Sequence, residues 1–457
     1  MPANTELLKE IELIEDGLTH MGNALRLQKG YQKWLKYNPI NGQWYIFKDV
    51  VWKPDGMSAF FQHLRANNML LHSLAEELED KKLRDKIIAW CKSSENYSNI
   101  SSTEKISQLL PGFKQVDKWD NKEYLFAVEN GVIDLKTGEL KSGKPEDLIT
   151  LQSPIIYDKE AECPLWEKFM FEAFDEDLDV IHYIQKALGY SLTGSNKEQI
   201  IFIGYGTGSN GKSTMLRILL KILGDYGHTA ARQTFQLNRF NDQTNDIAQL
   251  PGKRFVSWSE TRMSSSLDEE KLKAMTGGEN QRARFLNHEF FEFAPILKLW
   301  MFFNHKPTAR DDSQGFWRRI RVIPFNHVFD GSDKDIDVKL SKELPGILNW
   351  LIEGCLMWQQ EGLEPLPEVI QEASATYQEE SDPLSQWIFS CITIDDQKSE
   401  RAADLYKSYY NWANGEGFSD KEILTQNMFG RRLTTKFKKV RDTGGLFYIG
   451  LSIISAL

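Results

Sequence analysis

An octapeptide in the middle of the chain, GTGSNGKS from Gly206 to Ser213, fits the pattern G-x-x-x-x-G-K-[ST]. The apolar run IIFI precedes it and KSTMLRILLKILGDY follows, which is the order strand, glycine-rich loop, helix. A strand that feeds a helix in this way points to a parallel sheet, because a parallel neighbour is reached only through a crossover connection. Glycines let backbone N–H groups face an anion, and the helix N-terminus adds its positive end. Lys212 is then placed to reach the β- and γ-phosphates of a nucleoside triphosphate, and Ser213 to bind its Mg²⁺. A glycine-rich turn with an exposed lysine is the plainer alternative, and the strand–loop–helix order weighs against it. The expected cofactors are ATP and Mg²⁺, with Gly206, Thr207, Gly208, Ser209, Asn210, Gly211, Lys212, Ser213 and Thr214 as nucleotide contacts.

Around the motif, from Glu198 to Phe325, the runs QIIFIGY, RFVSWSE, ILKLWMFFN and RRIRVIPF alternate with helical patterns. This predicts an α/β core, a mostly parallel sheet covered by helices. Ahead of it, the first hundred or so residues read as mostly helical, interrupted by a small hairpin in GQWYIFKDVVWKPDG. A β-rich stretch from about Tyr124, with tight turns at NG and TG, leads into a helical segment from Trp166 to about Leu192. Beyond the core come a helical piece through Trp358 and a polar, proline-bearing stretch around EPLPEVI and ESDPLSQW. The tail reads as a helix in ADLYKSYYNWANGEG, a second from Gln426 to about Val440, and a terminal hairpin in DTGGLFYIGLSII. The acidic runs ELED at 77–80 and DEDLD at 175–179 read as helix-surface charge.

Composition narrows the class. A chain of 457 residues is too long for one core, so several domains are expected. No run approaches the roughly 20 apolar residues of a membrane span, and the acidic start MPANTELLKEIELIEDGL is unlike a targeting peptide. A cytoplasmic location without membrane contact follows as the expectation. The four cysteines are far apart and form no CxxC pair, which argues against a zinc ribbon or a disulfide framework. The net charge of −10 gives no support for bulk attraction to nucleic acid, but leaves room for a local basic lining.

Hydrolysis of a bound triphosphate needs a carboxylate on a neighbouring strand to polarise water and organise the metal. Glu260 ends the run RFVSWSE and is the candidate, as base and as a Mg²⁺ partner; Ser259 precedes it, so the carboxylate stands alone. Asn304 ends ILKLWMFFN, where its amide either hydrogen-bonds the attacking water or γ-phosphate or simply closes a turn before Pro307. Arg318 and Arg319 precede the last strand; they either cap the sheet or one enters a neighbouring subunit's nucleotide. Such a finger is worth about 10³–10⁵ in rate.

The succession GTGSNGKST, WSET, LKAMTGGE, FEFAPILKLWMFFNHKP and FWRRIRVIPF resembles the superfamily 3 helicases, most of all the phage and plasmid primase–helicase group that includes the poxvirus primase–helicase. The likeness extends to VENGVIDLKTGEL…CPLWEKFM ahead of the core and LPEVIQEASATYQEESDPLSQWI behind it, roughly residues 30 to 390. The resemblance implies a P-loop AAA+ type fold, a ring that is usually a homo-hexamer, and ATP-driven 3′→5′ movement on single-stranded DNA, in replication of a phage, plasmid or mobile element in a bacterial host cell. It favours Arg319 over Arg318 as the finger. It also implies a DNA-engaging hairpin between Glu260 and Asn304. There RARFLNHEFFEF reads as two short strands turning at Asn287–His288, with His288, Arg282 and Arg284 as DNA contacts, or else as an ordinary surface hairpin.

The implied domains are 1–195, a helical and β collar or docking domain; 196–330, the ATPase core; 331–390, a helical segment and linker; and 391–457, a winged-helix-like module. In that module Arg431, Arg432, Lys436, Lys438, Lys439 and Arg441 form a basic run that either binds DNA or is a solvated helix face. The front region is short and shows no primase carboxylate pair, so a separate primase or initiator is an expected partner, beside forked or origin duplex DNA. Two other functions fit the same residues: an ATP-dependent origin-binding initiator without processive unwinding, and a protein-remodelling AAA+ ATPase.

Overall fold

The computed structural model describes residues 17–115, 119–237, 245–260, 267–285, 289–307, 309, 313–331, 333–418, 420, 423–443 and 445–454; the side chains of 56, 57, 260 and 442 lie outside that description. The front part begins with helix α1 (His20–Tyr31) and an antiparallel sheet of β1 (Leu35–Asn38), β2 (Gln43–Lys48) and β3 (Val51–Pro54). The expected hairpin is thus β2–β3 with one further strand. Helices α2 (Gly56–Glu76), α3 (Lys81–Ser94) and α4 (Tyr97–Ser107) complete this part around Trp44, Phe60 and Phe113. A second small sheet follows, β4 (Leu125–Val128), β5 (Gly131–Asp134) and β6 (Glu139–Lys141), then α5 (Pro164–Ala173) and α6 (Leu178–Tyr190).

The acidic residues of both runs are largely exposed, as expected, and one residue of each run also caps a helix. Asp80 accepts the N–H groups of Lys82 and Leu83 at the start of α3, and Asp177 accepts those of Asp179 and Val180 at the start of α6. Each caps a helix whose first N–H groups have no internal partner. Asp175 and Glu176 lie in the left-handed turn before that cap.

The central sheet contains β7 (Ile201–Tyr205), followed by helix α7 (Lys212–Leu223), β8 (Gly227–Thr229), β9 (Phe255–Glu260), helix α8 (Glu269–Gly277), the hairpin β10 (Gln281–Ala283) and β11 (Phe291–Phe293), β12 (Lys298–Phe303), α9 (Gln314–Trp317) and β13 (Ile320–Pro324). Its five strands run parallel in the order β13-β7-β12-β9-β8. All four expected strands are present, and the short β8 adds an edge. The central strands β7 and β12 are almost wholly apolar because both faces are buried. Phe202, Trp300, Phe302 and Ile323 point into one core with α6 and α7, while Ile201, Ile203, Met301 and Val322 point into the other with α8. On α7 the buried residues Met215, Ile218, Leu219, Ile222 and Leu223 recur at helical spacing.

Behind the sheet come α10 (Ile336–Leu340), α11 (Leu344–Glu361), α12 (Glu368–Ser381) and α13 (Pro383–Cys391). The proline-bearing stretch is therefore helical: Pro367 is the N-cap of α12 and Pro383 opens α13, positions where a missing N–H costs nothing. Helix α12 covers the β13 edge; Val322 N–H donates to Ser374 Oγ (2.9 Å) and Tyr377 Oη to the Pro307 carbonyl (2.8 Å). The tail consists of β14 (Ile392–Arg401), α14 (Ala402–Gly415), α15 (Gln426–Lys436), β15 (Lys439–Asp442) and β16 (Gly445–Ile453), with sheet order β14-β16-β15 around Trp387, Tyr409, Phe429 and Tyr448. The second tail helix stops at Lys436, earlier than expected, because Lys439–Asp442 pairs with β16 instead.

Two fully buried cations join the amino end of the sheet to the segment before it. Arg254 donates to the carbonyls of Leu192, Lys122 and Leu125, and Lys298 to those of Thr193, Ser195 and Ile296. Burial pushes both groups below their ordinary pKa values.

Candidate functional site

The carboxyl edge of the sheet collects the loop and two of the expected partners. Tyr205 pairs in register with Phe303, and Phe303 with Glu260, so the chain leaves β7, β12 and β9 at one level. Strands lie about 4.8 Å apart, which puts the end of β9 about 10 Å from the end of β7. Asn304 follows β12 directly and is exposed to the same cavity as the loop. The backbone of Glu260 sits at the end of β9; its side chain is outside the described residues. In open parallel sheets, ligands bind beyond the carboxyl ends of strands at such a place.

The loop between β7 and α7 runs through left-handed backbone at Ser209 (φ 51°) and Gly211 (φ 81°). At Gly211 only glycine fits without strain: a Cβ there would lie 2.9 Å from Phe169 Cζ and 3.0 Å from Phe329 Cε2. Lys212 opens α7 and is buried, with 7% of its surface exposed. Its ammonium donates to the Gly206 carbonyl (2.6 Å) and to Asn210 Oδ1 (2.8 Å). Among the described residues no carboxylate pairs with it, and burial alone pushes its pKa down to about 8. Ser213 is exposed, and Thr214 Oγ1 accepts from Arg217 (3.2 Å). The cavity measures about 930 Å³.

Its other wall was not legible in the sequence. Lys168, Phe169 and Glu172 of α5, and the segment His327–Asp330 after β13, face the loop. Phe169 and Phe329 stack at 5.5 Å, and His327 Nδ1 lies 3.1 Å from Asp175 Oδ1. The arrangement has the chemistry that an anion cradle requires: N–H groups at a helix start, one buried ammonium and polar groups at adjacent strand ends. The described residues contain no cluster of three or more metal-ligating side chains. A Mg²⁺ ion does not need one, since it retains waters and shares its ligands with phosphates; the exposed Ser213 hydroxyl suits that role.

Arg318 and Arg319 lie elsewhere. They precede β13, at the amino edge of the sheet, about 16 Å along the strand from the loop level. Arg318 is exposed and donates to Gln199 Oε1 (2.7 Å). Arg319, half-buried, donates to the Gly315 carbonyl and to the same Gln199 oxygen (3.2 Å). Of the pair, Arg318 is the more exposed.

The expected hairpin is β10–β11, paired Gln281–Phe293 to Ala283–Phe291. Arg282 and Arg284 both sit over the exposed Phe290 ring, at 4.4 and 4.6 Å. His288 lies outside the described residues. In the tail, Arg431, Lys436, Lys438 and Lys439 are exposed, whereas Arg432 pairs with Asp382 (3.3 Å). Lys438, Lys439 and Arg441 lie on or beside β15, so the basic run divides between helix and strand.

The fold defines the class: a mixed α/β protein with a parallel sheet, helices on its faces and a glycine-rich loop leading into a helix at its carboxyl edge. A family model described as D5 N terminal like matches residues 24–175, and a family of unknown function, DUF5906, matches residues 204–319. Among curated proteins the chain is 28% identical over 319 residues to "Putative helicase L207/L206" of Acanthamoeba polyphaga mimivirus, covering 64% of this chain and 33% of that protein. It is 23% identical over 384 residues to "Putative helicase 022R" of Frog virus 3, covering 65% and 39%, and 26% identical over 212 residues to "Putative primase C962R" of African swine fever virus, covering 44% and 22%. Together these matches support membership of a D5-like primase–helicase family. It spans about a third of the length of the curated helicases it matches. A solved structure of the NrS-1 C-terminal region, apo form A, aligns with a TM-score of 0.49 at 14% identity over 92% of this chain and 96% of that one. No helix among the described residues is long and apolar enough to cross a membrane.

Proposed function

We propose that the chain is the ATP-hydrolysing motor of a replicative DNA helicase. The observation that carries this reading is Lys212: a buried ammonium without a carboxylate partner among the described residues, at the mouth of a glycine-rich loop on the carboxyl edge of a parallel sheet. A triphosphate supplies the missing negative charge, with Mg²⁺ held by Ser213, phosphate oxygens and water. Glu260 orients the attacking water and Asn304 hydrogen-bonds it or the γ-phosphate. In this reading the core is a P-loop AAA+ domain, the tail a winged helix, and the protein a ring, a homo-hexamer, moving 3′→5′ on single-stranded DNA.

The amino-edge position of Arg318 and Arg319 supports assembly, since neither reaches the loop of its own chain. The arginine–phenylalanine cluster on β10–β11 supports a DNA-facing hairpin, combining cationic and stacking contacts that grip a strand without reading its sequence. The names of the viral relatives support a role in DNA replication. The test is ATP hydrolysis with and without single-stranded DNA, with Lys212→Ala as the blank. Stimulation by DNA that Lys212→Ala abolishes is the expected result. Turnover retained in Lys212→Ala removes the site assignment; turnover indifferent to DNA moves the function to an initiator or a protein remodeller.

A further inference from the structure

Asn210 is buried, 3% exposed, although it belongs to a loop whose neighbours Thr207 and Ser209 are exposed. Its side chain spans two partners. The amide nitrogen donates to the Phe325 carbonyl (3.0 Å), where the chain leaves β13, and the amide oxygen accepts from the Lys212 ammonium (2.8 Å). These partners fix which end of the amide is which, because a carbonyl oxygen accepts only from a donor and an ammonium donates only to an acceptor. No other side chain of that length does both: aspartate would set an oxygen against the Phe325 carbonyl, and a shorter side chain would not span the gap. The backbone makes room for the bridge, since a Cβ at Gly206 would collide with both the Asn210 amide and the Phe325 carbonyl. A second strap, Phe329 N–H to the Ser209 carbonyl (2.8 Å), holds the same two segments together.

We propose that Asn210 is a positioning residue for Lys212: its amide, anchored on the end of β13, holds the ammonium at the loop mouth so that an incoming triphosphate meets it already oriented. This rests on the reading of the loop as a nucleotide site. Anchoring matters because a free lysine side chain has to lose its rotamer freedom when the phosphate binds, and a pre-placed one has already lost it. A hydrogen bond to a charged group is also stronger than a neutral one.

A double-mutant cycle on the full chain tests it, read as affinity for a fluorescent, non-hydrolysed ATP analogue with Mg²⁺. Asn210→Ala is expected to weaken binding about tenfold when Lys212 is present and less than about twofold in the Lys212→Ala background. Equal losses in both backgrounds overturn the proposal, because Asn210 then shapes the loop without acting through Lys212. No loss in either background overturns it as well. Normal binding by Lys212→Ala alone is a different failure, that of the nucleotide-site reading. Asn210→Ser, polar but too short to span both partners, replaces alanine if that variant does not fold, with the same coupling expected.

Discussion

Raising the pH from 7.5 to 9 should weaken ATP binding by about eightfold, through the loss of the Lys212 proton. Desolvation pushes this ammonium down to about 8, and a bound triphosphate pulls it back up by favouring the charged form. Binding above pH 8 must therefore take up a proton. With a pKa of about 8, the protonated fraction falls from about three-quarters at pH 7.5 to about a tenth at pH 9, which costs about 1.3 kcal/mol of affinity. The stability sign is opposite. The folded pKa lies below the unfolded value of about 10.4, so between pH 8 and 10 the unfolded chain binds more protons and this group's contribution to the nucleotide-free fold rises with pH. The stabilisation conferred by ATP should accordingly shrink over that window. The terminal phosphate, with a pKa near 6, is ionised throughout the range. Calorimetric titration in buffers of different ionisation enthalpy measures both the affinity and the proton. The reasoning fails if affinity is flat from pH 7.5 to 9 while Lys212→Ala weakens binding. It fails equally if Lys212→Arg, whose guanidinium does not titrate, shows the same slope.

Replacing Arg282 and Arg284 together by alanine should flatten the salt dependence of single-stranded DNA binding by about 0.7 in log–log slope for each phosphate that the two arginines neutralise; an unchanged slope would place the hairpin away from DNA. Lys298→Met should leave the Thr193, Ser195 and Ile296 carbonyls without their buried donor and destabilise the fold by about 3 kcal/mol or more, measured by denaturant unfolding. A loss under about 1 kcal/mol would mean that these carbonyls find other partners. Arg318→Ala and Arg319→Ala subunits should bind ATP but not turn it over, and mixing either with Glu260→Gln subunits should restore activity if that arginine acts across an interface. The exposed Arg318 and the half-buried Arg319 are separated by which mixture recovers.

The central sheet was legible because its strands are buried on both faces, which forces continuous apolar runs such as QIIFI and LKLWMFF. The loop was legible because its backbone conformation demands glycine and its chemistry demands lysine. Strand β14 escaped because it is an exposed, polar ten-residue strand, ITIDDQKSER, paired on β16 and carrying no alternation. Helices α12 and α13 escaped because their sequence is polar and proline-bearing, and its prolines in fact open helices. The bridge made by Asn210 was invisible for a deeper reason: its partner carbonyl lies 115 residues away, and only the sheet order brings β13 beside β7.

That sheet order also bears on why one chain would be incomplete as an ATPase. Every strand of the central sheet points the same way, so loop residues at carboxyl ends and arginines at an amino end are kept on opposite edges by the full length of β13. No rotamer closes a gap of about 16 Å, and unbending the strand would break its pairing with β7. In the proposed ring, the amino edge of one subunit faces the carboxyl edge of the next, and each nucleotide is held by one chain and completed by its neighbour. Within a chain, β13 then begins beside a neighbour's nucleotide and ends at the Phe325 carbonyl that holds Asn210, and through it Lys212, in the chain's own loop. The same five residues that keep the two half-sites apart thus also link them, through the hydrogen bonds that join the Phe325 carbonyl to Asn210 and Asn210 to Lys212.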